Sequence, residues 1–249
     1  MKKILAISNS FGVDANRYFY GISRAAGEEV KSVTLYIGGC SLYRHYRNML
    51  SDERAYTLHV NGIDTGFKVS LKEALLSDEW DIVTFQQSSG HSPIYETYLP
   101  YLPELSKYVK KLAPAAKQYI HAIWAWPDDS VQTSCLRLEF ETNKQMSAAD
   151  HIAYKKAAKE ISADGFIPST AAMEKLYERV GSAAYCDKSH ANLGFARYML
   201  GCVWYMTIFG KSNMDGVTFR DFDVPVTDEE IAIAEKCAVE AVSENDYKQ

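Results

Sequence analysis

The stretch Lys3-Ile4-Leu5-Ala6-Ile7-Ser8-Asn9-Ser10-Phe11-Gly12 opens the chain with an apolar run that ends in small polar residues. A short apolar run bounded by turn-forming residues predicts a buried strand over residues 3–8. Residues 14–26 then have the pattern of a helix, which a glycine ends, and a second apolar run covers residues 32–37. The order strand, helix, strand predicts a βαβ unit and therefore a parallel sheet.

The alternation of strands and helices continues along the chain and is interrupted once. Residues 56–60 and 63–69 flank Asn61-Gly62, a pair that accepts the positive φ angles of a tight turn, so they predict a β-hairpin inserted at one edge. Further strands are predicted over residues 81–86, 118–126 and 167–168, and helices over 70–76, 93–112, 151–163, 171–180, 193–209 and 228–243. No repeat or linker divides the chain, so we expect one domain over residues 1–249.

Composition argues against several classes of protein. The 249 residues carry a formal net charge of −5 without a dense Lys/Arg cluster, so no nucleic-acid partner is expected. No run approaches the roughly 18 apolar residues of a membrane span, and the first apolar run is too short for a signal peptide. We therefore expect a cytoplasmic protein with no membrane partner.

Cysteine and histidine spacing argues against a metal, a disulfide framework and a cofactor. The five cysteines are odd in number and no two have C-x-x-C spacing, which favours free thiols. They are Cys40, Cys135, Cys186, Cys202 and Cys237. No histidine pair has the spacing of metal ligands, and no glycine-rich phosphate loop occurs, so neither a metal nor a cofactor is expected.

The loops after the parallel strands are where chemistry is expected, because such sheets bind ligands at the carboxyl ends of their strands. Ser10 follows the first strand and stands where a helix begins. There, its hydroxyl lies near the positive end of the helix dipole and its backbone N–H can face an oxyanion. The alternative is that these small polar residues only cap the helix.

A second candidate lies near the other end of the chain, at Asp187-Lys188-Ser189-His190. An Asp three residues before a His can place its carboxylate against one ring nitrogen, which leaves the other nitrogen free to accept a proton from a serine. The alternative is an exposed polar turn, because the pattern is short and chance matches are frequent.

Together these segments resemble the SGNH (GDSL-like) hydrolases, across most of the chain. Residues 4–11 are similar to the first sequence block of that superfamily, and closest to bacterial relatives that read G-N-S-F. Residues 36–42, 81–88 and 187–190 resemble its later blocks, in the same order. The resemblance implies a three-layer α/β/α sandwich with a flavodoxin-like, mainly parallel sheet. It also implies that Ser10 is the nucleophile and that His190 and Asp187 activate it.

The resemblance further implies an oxyanion hole formed by the N–H groups of Ser10 and Gly39, with Gly38 as the alternate. The third block lacks the asparagine that completes this hole in the relatives, and Gln87 or Ser88 can each donate a hydrogen bond in its place. The implied function is a serine esterase acting on a small acyl ester, with O-acetyl groups on carbohydrate as one candidate substrate. The alternative is an SGNH-fold protein that binds a carbohydrate or small ligand with little or no catalysis. The oligomeric state is left open.

Other residues in these loops receive structural roles. We expect His121 to be a hydrogen-bonded core residue, His45 to line the wall of the pocket, and His91, His59 and His151 to lie at the surface. The tyrosines Tyr95, Tyr98 and Tyr101 form an aromatic cluster after the third strand. Such a cluster either packs in the core or stacks on a sugar ring at the mouth of a pocket.

Overall fold

A computed structural model describes residues 1–132 and 140–247 of the protein. Its strands are β1 (Lys2–Ser8), β2 (Val30–Tyr36), β3 (Tyr56–Val60), β4 (Ile63–Val69), β5 (Ile82–Phe85), β6 (Lys117–His121) and β7 (Gly165–Ile167). They form one sheet in the order β4-β3-β2-β1-β5-β6-β7. The strands β2, β1, β5, β6 and β7 are parallel, and the hairpin β3–β4 is antiparallel at one edge.

The parallel strands follow the flavodoxin-like order 2-1-3-4-5 when they are numbered along the chain. In this arrangement the crevice where the strand order reverses lies between β1 and β5, and it is the usual ligand site. Ser10 follows β1, and Gln87 and Ser88 follow β5. The topology therefore brings the loops of the first and third sequence blocks together.

Helices cover both faces of the sheet, as the sequence predicts for an α/β/α sandwich. They are α1 (Ser10–Asn16), α2 (Phe19–Ala25), α3 (Leu42–Ser51), α4 (Leu71–Leu76), α5 (Tyr101–Leu112), α6 (Asp128–Gln132), α7 (Asn143–Glu160), α8 (Ser169–Val180), α9 (Phe195–Phe209) and α10 (Asp228–Ser243). The helices α1, α2, α9 and α10 pack together, and α3, α4 and α5 form a separate group. Among the described helices, none has both the length and the apolar composition needed to cross a bilayer.

The helix α9 forms much of the core on its side of the sheet. Most of its residues are buried, including Trp204 and Tyr198, which are fully buried. Burial of a large apolar side chain contributes roughly 1.5–3 kcal/mol, so this helix is a major source of stability. The helix predicted over residues 193–209 therefore forms, with a start two residues later, at Phe195.

Two predicted elements are shorter than the sequence suggests. The strand predicted over residues 118–126 ends at His121, because β7 ends at Ile167 and offers no partner beyond that point. The helix predicted over residues 93–112 divides into a 3-10 turn at Tyr95–Tyr98 and the helix α5, with a cis Leu99–Pro100 bond between them. The helices α3 and α6 were not predicted.

The cysteines that the structure describes are all free thiols: Cys40, Cys186, Cys202 and Cys237. Cys135 lies outside the described residues. Burial raises the pKa of the Cys40 thiol to about 12, which leaves it protonated and unreactive at neutral pH.

Candidate active site

Ser10 is the first residue of α1, directly after β1. The side chain of Asn9 caps this helix by accepting a hydrogen bond from the N–H of Phe11 at 3.0 Å. The helix therefore begins four residues earlier than the predicted residue 14. Since the first N–H groups of a helix have no acceptor within it, the backbone of Ser10 is available to a bound group.

The turn from β1 into α1 is tightly packed. A Cβ added at Gly12 would lie 1.7 Å from the Ser8 hydroxyl oxygen, so only glycine fits at this position. Ser8 in turn donates a hydrogen bond to the Gln86 side-chain oxygen at 2.9 Å. The loop that carries Ser10 is therefore held against β5.

The structure brings Ser10, His190 and Asp187 into one hydrogen-bonded line, although the serine and the histidine are 180 residues apart. The Ser10 Oγ lies 2.8 Å from His190 Nε2, and His190 Nδ1 lies 2.7 Å from Asp187 Oδ2. A carboxylate can only accept, so Nδ1 carries the ring proton and Nε2 accepts from the serine hydroxyl. This is the arrangement needed for a serine to be deprotonated as it attacks.

The Asp187 carboxylate is oriented by the loop that it begins. Its Oδ1 accepts hydrogen bonds from the backbone N–H groups of Ser189 at 2.8 Å and His190 at 2.7 Å. Partial burial works to raise the pKa of Asp187, but these backbone bonds and the imidazole outweigh it and hold the pKa below its usual range. The carboxylate is therefore charged at neutral pH.

Aromatic residues hold the His190 loop over the sheet. The indole N–H of Trp124 donates to the Ser189 carbonyl at 3.0 Å. The Phe11 ring is close to both the Trp124 and the His190 rings, with its centroid 4.5 Å from that of Trp124 and 5.5 Å from that of His190. Residues 122–126, predicted as the end of a strand, are irregular beyond His121, and Trp124 among them supports this loop.

Asp14 is a functional candidate that the sequence reasoning missed. It lies four residues after Ser10 on α1, is 2% exposed, and accepts a hydrogen bond from the N–H of Ala191 at 3.2 Å. Arg197 donates to its other oxygen at 2.6 and 2.9 Å. Burial raises the pKa of Asp14, and the charge of Arg197 opposes that rise. The i, i+4 spacing from Ser10 is the signal that relates the two residues.

A second missed feature is a chain of buried hydrogen bonds beneath Ser10. The His121 ring bonds the Gln86 side-chain oxygen through Nδ1 at 2.9 Å and the Ser169 hydroxyl through Nε2 at 3.0 Å. Gln86 donates to the side chain of Asn9 at 2.7 Å, and Asn9 donates to the Cys40 carbonyl at 3.1 Å. Burial lowers the pKa of His121 to about 3, so the ring is neutral. The core role predicted for His121 is confirmed.

The two candidates for the third oxyanion donor differ in their surroundings. The side-chain oxygen of Gln87 accepts from the N–H groups of Leu42 and Ser88, both at 2.9 Å. Its amide nitrogen donates to the carbonyl and hydroxyl of Thr97, at 3.1 and 3.2 Å. Gln87 therefore connects two loops, and its side-chain donors are already occupied.

Ser88 retains a hydroxyl that can rotate. Its Oγ lies 2.9 Å from Nδ1 of His91, an exposed residue as predicted. If the histidine nitrogen donates, the serine proton is free to bind another acceptor. Gly39 has φ of +59°, a left-handed conformation that favours glycine, and nothing lies within 4 Å of the position a Cβ would take. Its backbone is therefore open to a close approach.

Two predictions for the other histidines are wrong. His45 does not line a pocket wall but is fully buried on α3, 3.0 Å from the Tyr56 hydroxyl, and burial lowers its pKa to about 3. His59 is 8% exposed on β3 rather than at the surface. His151 is partly exposed and bonds Glu174 at 3.0 Å. Within residues 1–132 and 140–247, no group of three His, Cys, Asp or Glu side chains is placed to hold a metal ion.

Solved structures define the class of fold. A lipase/acylhydrolase from Enterococcus faecalis has a TM-score of 0.54 and 13% identity, over 84% of this chain and 96% of that one. A protein from Slackia heliotrinireducens, proposed to be an SGNH hydrolase, has a TM-score of 0.57 and 20% identity, over 83% and 98%. The chain has the α/β/α fold of the SGNH hydrolases, as its sequence blocks predict.

A more similar structure comes from Bacteroides uniformis ATCC 8492. This DUF4886 family protein has a TM-score of 0.90 and 27% identity, over 98% of this chain and 95% of that one. Residues 3–241 match the DUF4886 family, described as a domain of unknown function. The chain belongs to the DUF4886 family. No curated protein matches it.

Proposed function

We propose that the protein is an SGNH-type serine esterase that hydrolyses a small acyl ester. The observation that carries this proposal is the hydrogen-bonded line from Ser10 to His190 to Asp187, with distances of 2.8 and 2.7 Å. Ser10 lies at the crevice between β1 and β5, where folds of this topology bind their ligands, and this position also supports the proposal.

The proposed reaction begins with attack of the Ser10 Oγ on the ester carbonyl carbon, while its proton passes to His190 Nε2. Asp187 holds the ring in place and stabilises the imidazolium. The tetrahedral intermediate expels the alcohol, which takes the proton from His190, and an acyl ester remains on Ser10. Water then attacks this ester and gives a proton to His190, and as the C–Oγ bond breaks His190 returns that proton to Ser10 and the carboxylic acid leaves.

The oxyanion is proposed to be held by the N–H groups of Ser10 and Gly39 and by the hydroxyl of Ser88. Ser88 is preferred to Gln87, because the side-chain donors of Gln87 are engaged with Thr97. Loss of one such donor typically lowers the rate by roughly 100- to 1000-fold. The hydroxyl of Ser88 therefore matters to the chemistry even though it makes no covalent bond.

Turnover of simple acetyl esters by wild type, Ser10→Ala and Ser182→Ala tests the proposal. Ser182 is an exposed serine outside the site and serves as the matched control. Ser10→Ala is expected to lose activity by roughly a thousandfold or more, while Ser182→Ala keeps it. A serine-directed phosphonate is expected to label wild type and Ser182→Ala but not Ser10→Ala. Unlabelled wild type that still binds a carbohydrate would instead favour the non-catalytic alternative.

A further inference from the structure

A groove of about 470 Å³ opens beside the loops that carry the proposed oxyanion donors. It lies between the start of α3 on one side and the turn before α5 on the other. Gln87 joins these two sides, because it accepts from Leu42 at 2.9 Å and donates to the Thr97 carbonyl at 3.1 Å. The side-chain amide of Asn9 donates to the Gln87 carbonyl at 3.4 Å. Gln87, which lines the groove, is therefore hydrogen-bonded to the residue that precedes Ser10.

Two tyrosines give the groove an amphipathic wall. Tyr43 is 46% exposed, and its ring centroid lies 5.1 Å from that of Tyr101. The ring centroid of Tyr46, also on α3, lies 5.5 Å from that of Tyr101. Tyrosine offers an apolar face to a ligand and a hydroxyl at its edge, and it does so at low conformational cost. Of the predicted cluster, only Tyr101 lines this groove, while Tyr98 is buried in the core.

The polar groups of the groove point to a neutral ligand that carries hydroxyls. Glu96 lines the groove, is exposed, and forms no ion pair with any residue that the structure describes. His91 uses Nδ1 on Ser88 and has no described partner at Nε2. An anionic ligand would meet the charge of Glu96, and an alkyl chain would cover these polar groups without pairing them. Ligand hydroxyls can donate to the carboxylate and pair with the imidazole.

We propose that this groove binds the sugar part of the ester, as a single neutral pyranose unit seated on Tyr43 and Tyr101 with its hydroxyls toward Glu96 and His91. A volume of about 470 Å³ lies within the usual range of small-ligand sites. The proposal rests on the esterase function in so far as the acyl group must reach Ser10. It adds the class of the alcohol and the residues that select it.

The kinetic test compares two substrates, glucose that carries one acetyl ester on its primary hydroxyl and ethyl acetate, which has no ring. Tyr43→Ala is expected to lower kcat/KM for acetylglucose by about three- to tenfold, through loss of the stacking face. Glu96→Gln is expected to lower it by roughly tenfold, through loss of a charged hydrogen bond. Both variants should hydrolyse ethyl acetate as wild type does. Tyr20→Ala, a partly exposed tyrosine on α2, is the matched control and should change neither substrate.

Equal losses on both substrates, or no loss on acetylglucose, would overturn the groove assignment and leave the esterase function standing. A binding test is independent of turnover. Ser10→Ala protein titrated with acetylglucose and followed by NMR should show saturable shifts, and adding Tyr43→Ala should weaken the affinity by about three- to tenfold. Absence of saturable binding up to the solubility limit would also reject the groove. Failure of the esterase function itself appears separately, as an unlabelled Ser10 and no turnover of either ester.

Discussion

Asp187 is oriented by hydrogen bonds rather than by burial. Its side chain is 51% exposed and that of His190 is 33% exposed, so water reaches both. Three groups nevertheless fix the carboxylate: the two backbone N–H groups of its own loop and the imidazole. A short loop that begins at the aspartate therefore orients this carboxylate without burying it. The charge of the carboxylate, not only its shape, sets which ring nitrogen carries the proton.

The first prediction concerns that charge. Asp187→Asn keeps the size of the side chain, but its amide can present a donor to His190 Nδ1 and so favour the tautomer that cannot accept from Ser10. We expect kcat for acetyl esters to fall by roughly a thousandfold or more. Steady-state kinetics beside Lys188→Ala, an exposed neighbour in the same loop, measure the effect. Retention of most of the activity in Asp187→Asn would show that the carboxylate has no part in activation.

At this scale the sequence predicts residues whose chemistry is local. Asp187 and His190 are three positions apart, so the possibility of their contact follows from the sequence, beside the alternative of an exposed turn. The choice between Gln87 and Ser88 does not, because the bonds of Gln87 to Leu42 and Thr97 depend on how two separate loops pack. Such a contact becomes visible only when the loops are placed in space.

The helix α1 connects the proposed nucleophile to the loop of the proposed base. Ser10 begins the helix, and Asp14, one turn later, bonds the N–H of Ala191 beside His190. Arg197 from α9 holds the same carboxylate. One helical turn therefore sets the separation between the two groups that are proposed to exchange the proton, and the buried ion pair anchors that turn.

The second prediction concerns this anchor. Asp14→Asn leaves the Arg197 charge largely buried with a weaker partner, and we expect the free energy of unfolding to fall by about 3 kcal/mol. Asp223→Asn is the comparison variant: Asp223 is a third exposed, binds Arg17 through two hydrogen bonds and lies 3.9 Å from Arg197, and the loss of these exposed contacts should cost about 1 kcal/mol or less. Urea denaturation of both variants measures the difference. Equal losses would mean that Asp14 is no more than another surface partner of the arginine.

Elements were predicted best where one local signal dominates. Asn61-Gly62 has positive φ at both positions, and the hairpin forms as expected. The predicted helix over residues 228–243 matches α10, which Thr227 and Glu230 begin with a reciprocal capping box. The helix α1 begins four residues earlier than predicted because Asn9 caps it, the role that was given to these small polar residues as the alternative. The division of residues 93–112 depends on tertiary packing, which periodicity does not report.

Across the whole molecule, the alternation of strands and helices was enough to predict the parallel sheet, and the resemblance to the SGNH hydrolases implied its two helical layers. The order of the strands places the ends of β1 and β5 side by side, and the proposed site follows from that order. The burial of individual charged residues was not predicted, because the period of a helix shows its buried face only when that face is apolar. Asp14 on α1 and Asp150 on α7 are buried although their side chains are polar, so helical periodicity does not reveal their burial.

Asp150 is the more extreme case. It is fully buried, and neither carboxyl oxygen has a partner at full hydrogen-bond geometry among the residues that the structure describes, although the nearby Ser92 hydroxyl works to lower its pKa. Burial raises its pKa well above the usual value. The folded protein therefore holds this proton more tightly than the unfolded chain, whose aspartate titrates near pH 4, at roughly 3.9. The contribution of Asp150 to stability is full below that pH and is lost progressively as the pH rises toward the folded-state pKa.

The last prediction follows from this loss of stability with rising pH. Asp150→Asn stays neutral at every pH, so it removes the decline that ionisation imposes. We expect the free energy of unfolding of the variant to equal or fall slightly below that of wild type near pH 4, and to exceed it by more than about 1 kcal/mol at pH 8, since each unit of pH contributes up to about 1.4 kcal/mol. Urea denaturation at several pH values measures the difference, with Asp215→Asn, an exposed loop carboxyl, expected to follow wild type throughout. A difference that does not grow with pH would mean that Asp150 is ionised in the folded protein and compensated by a partner.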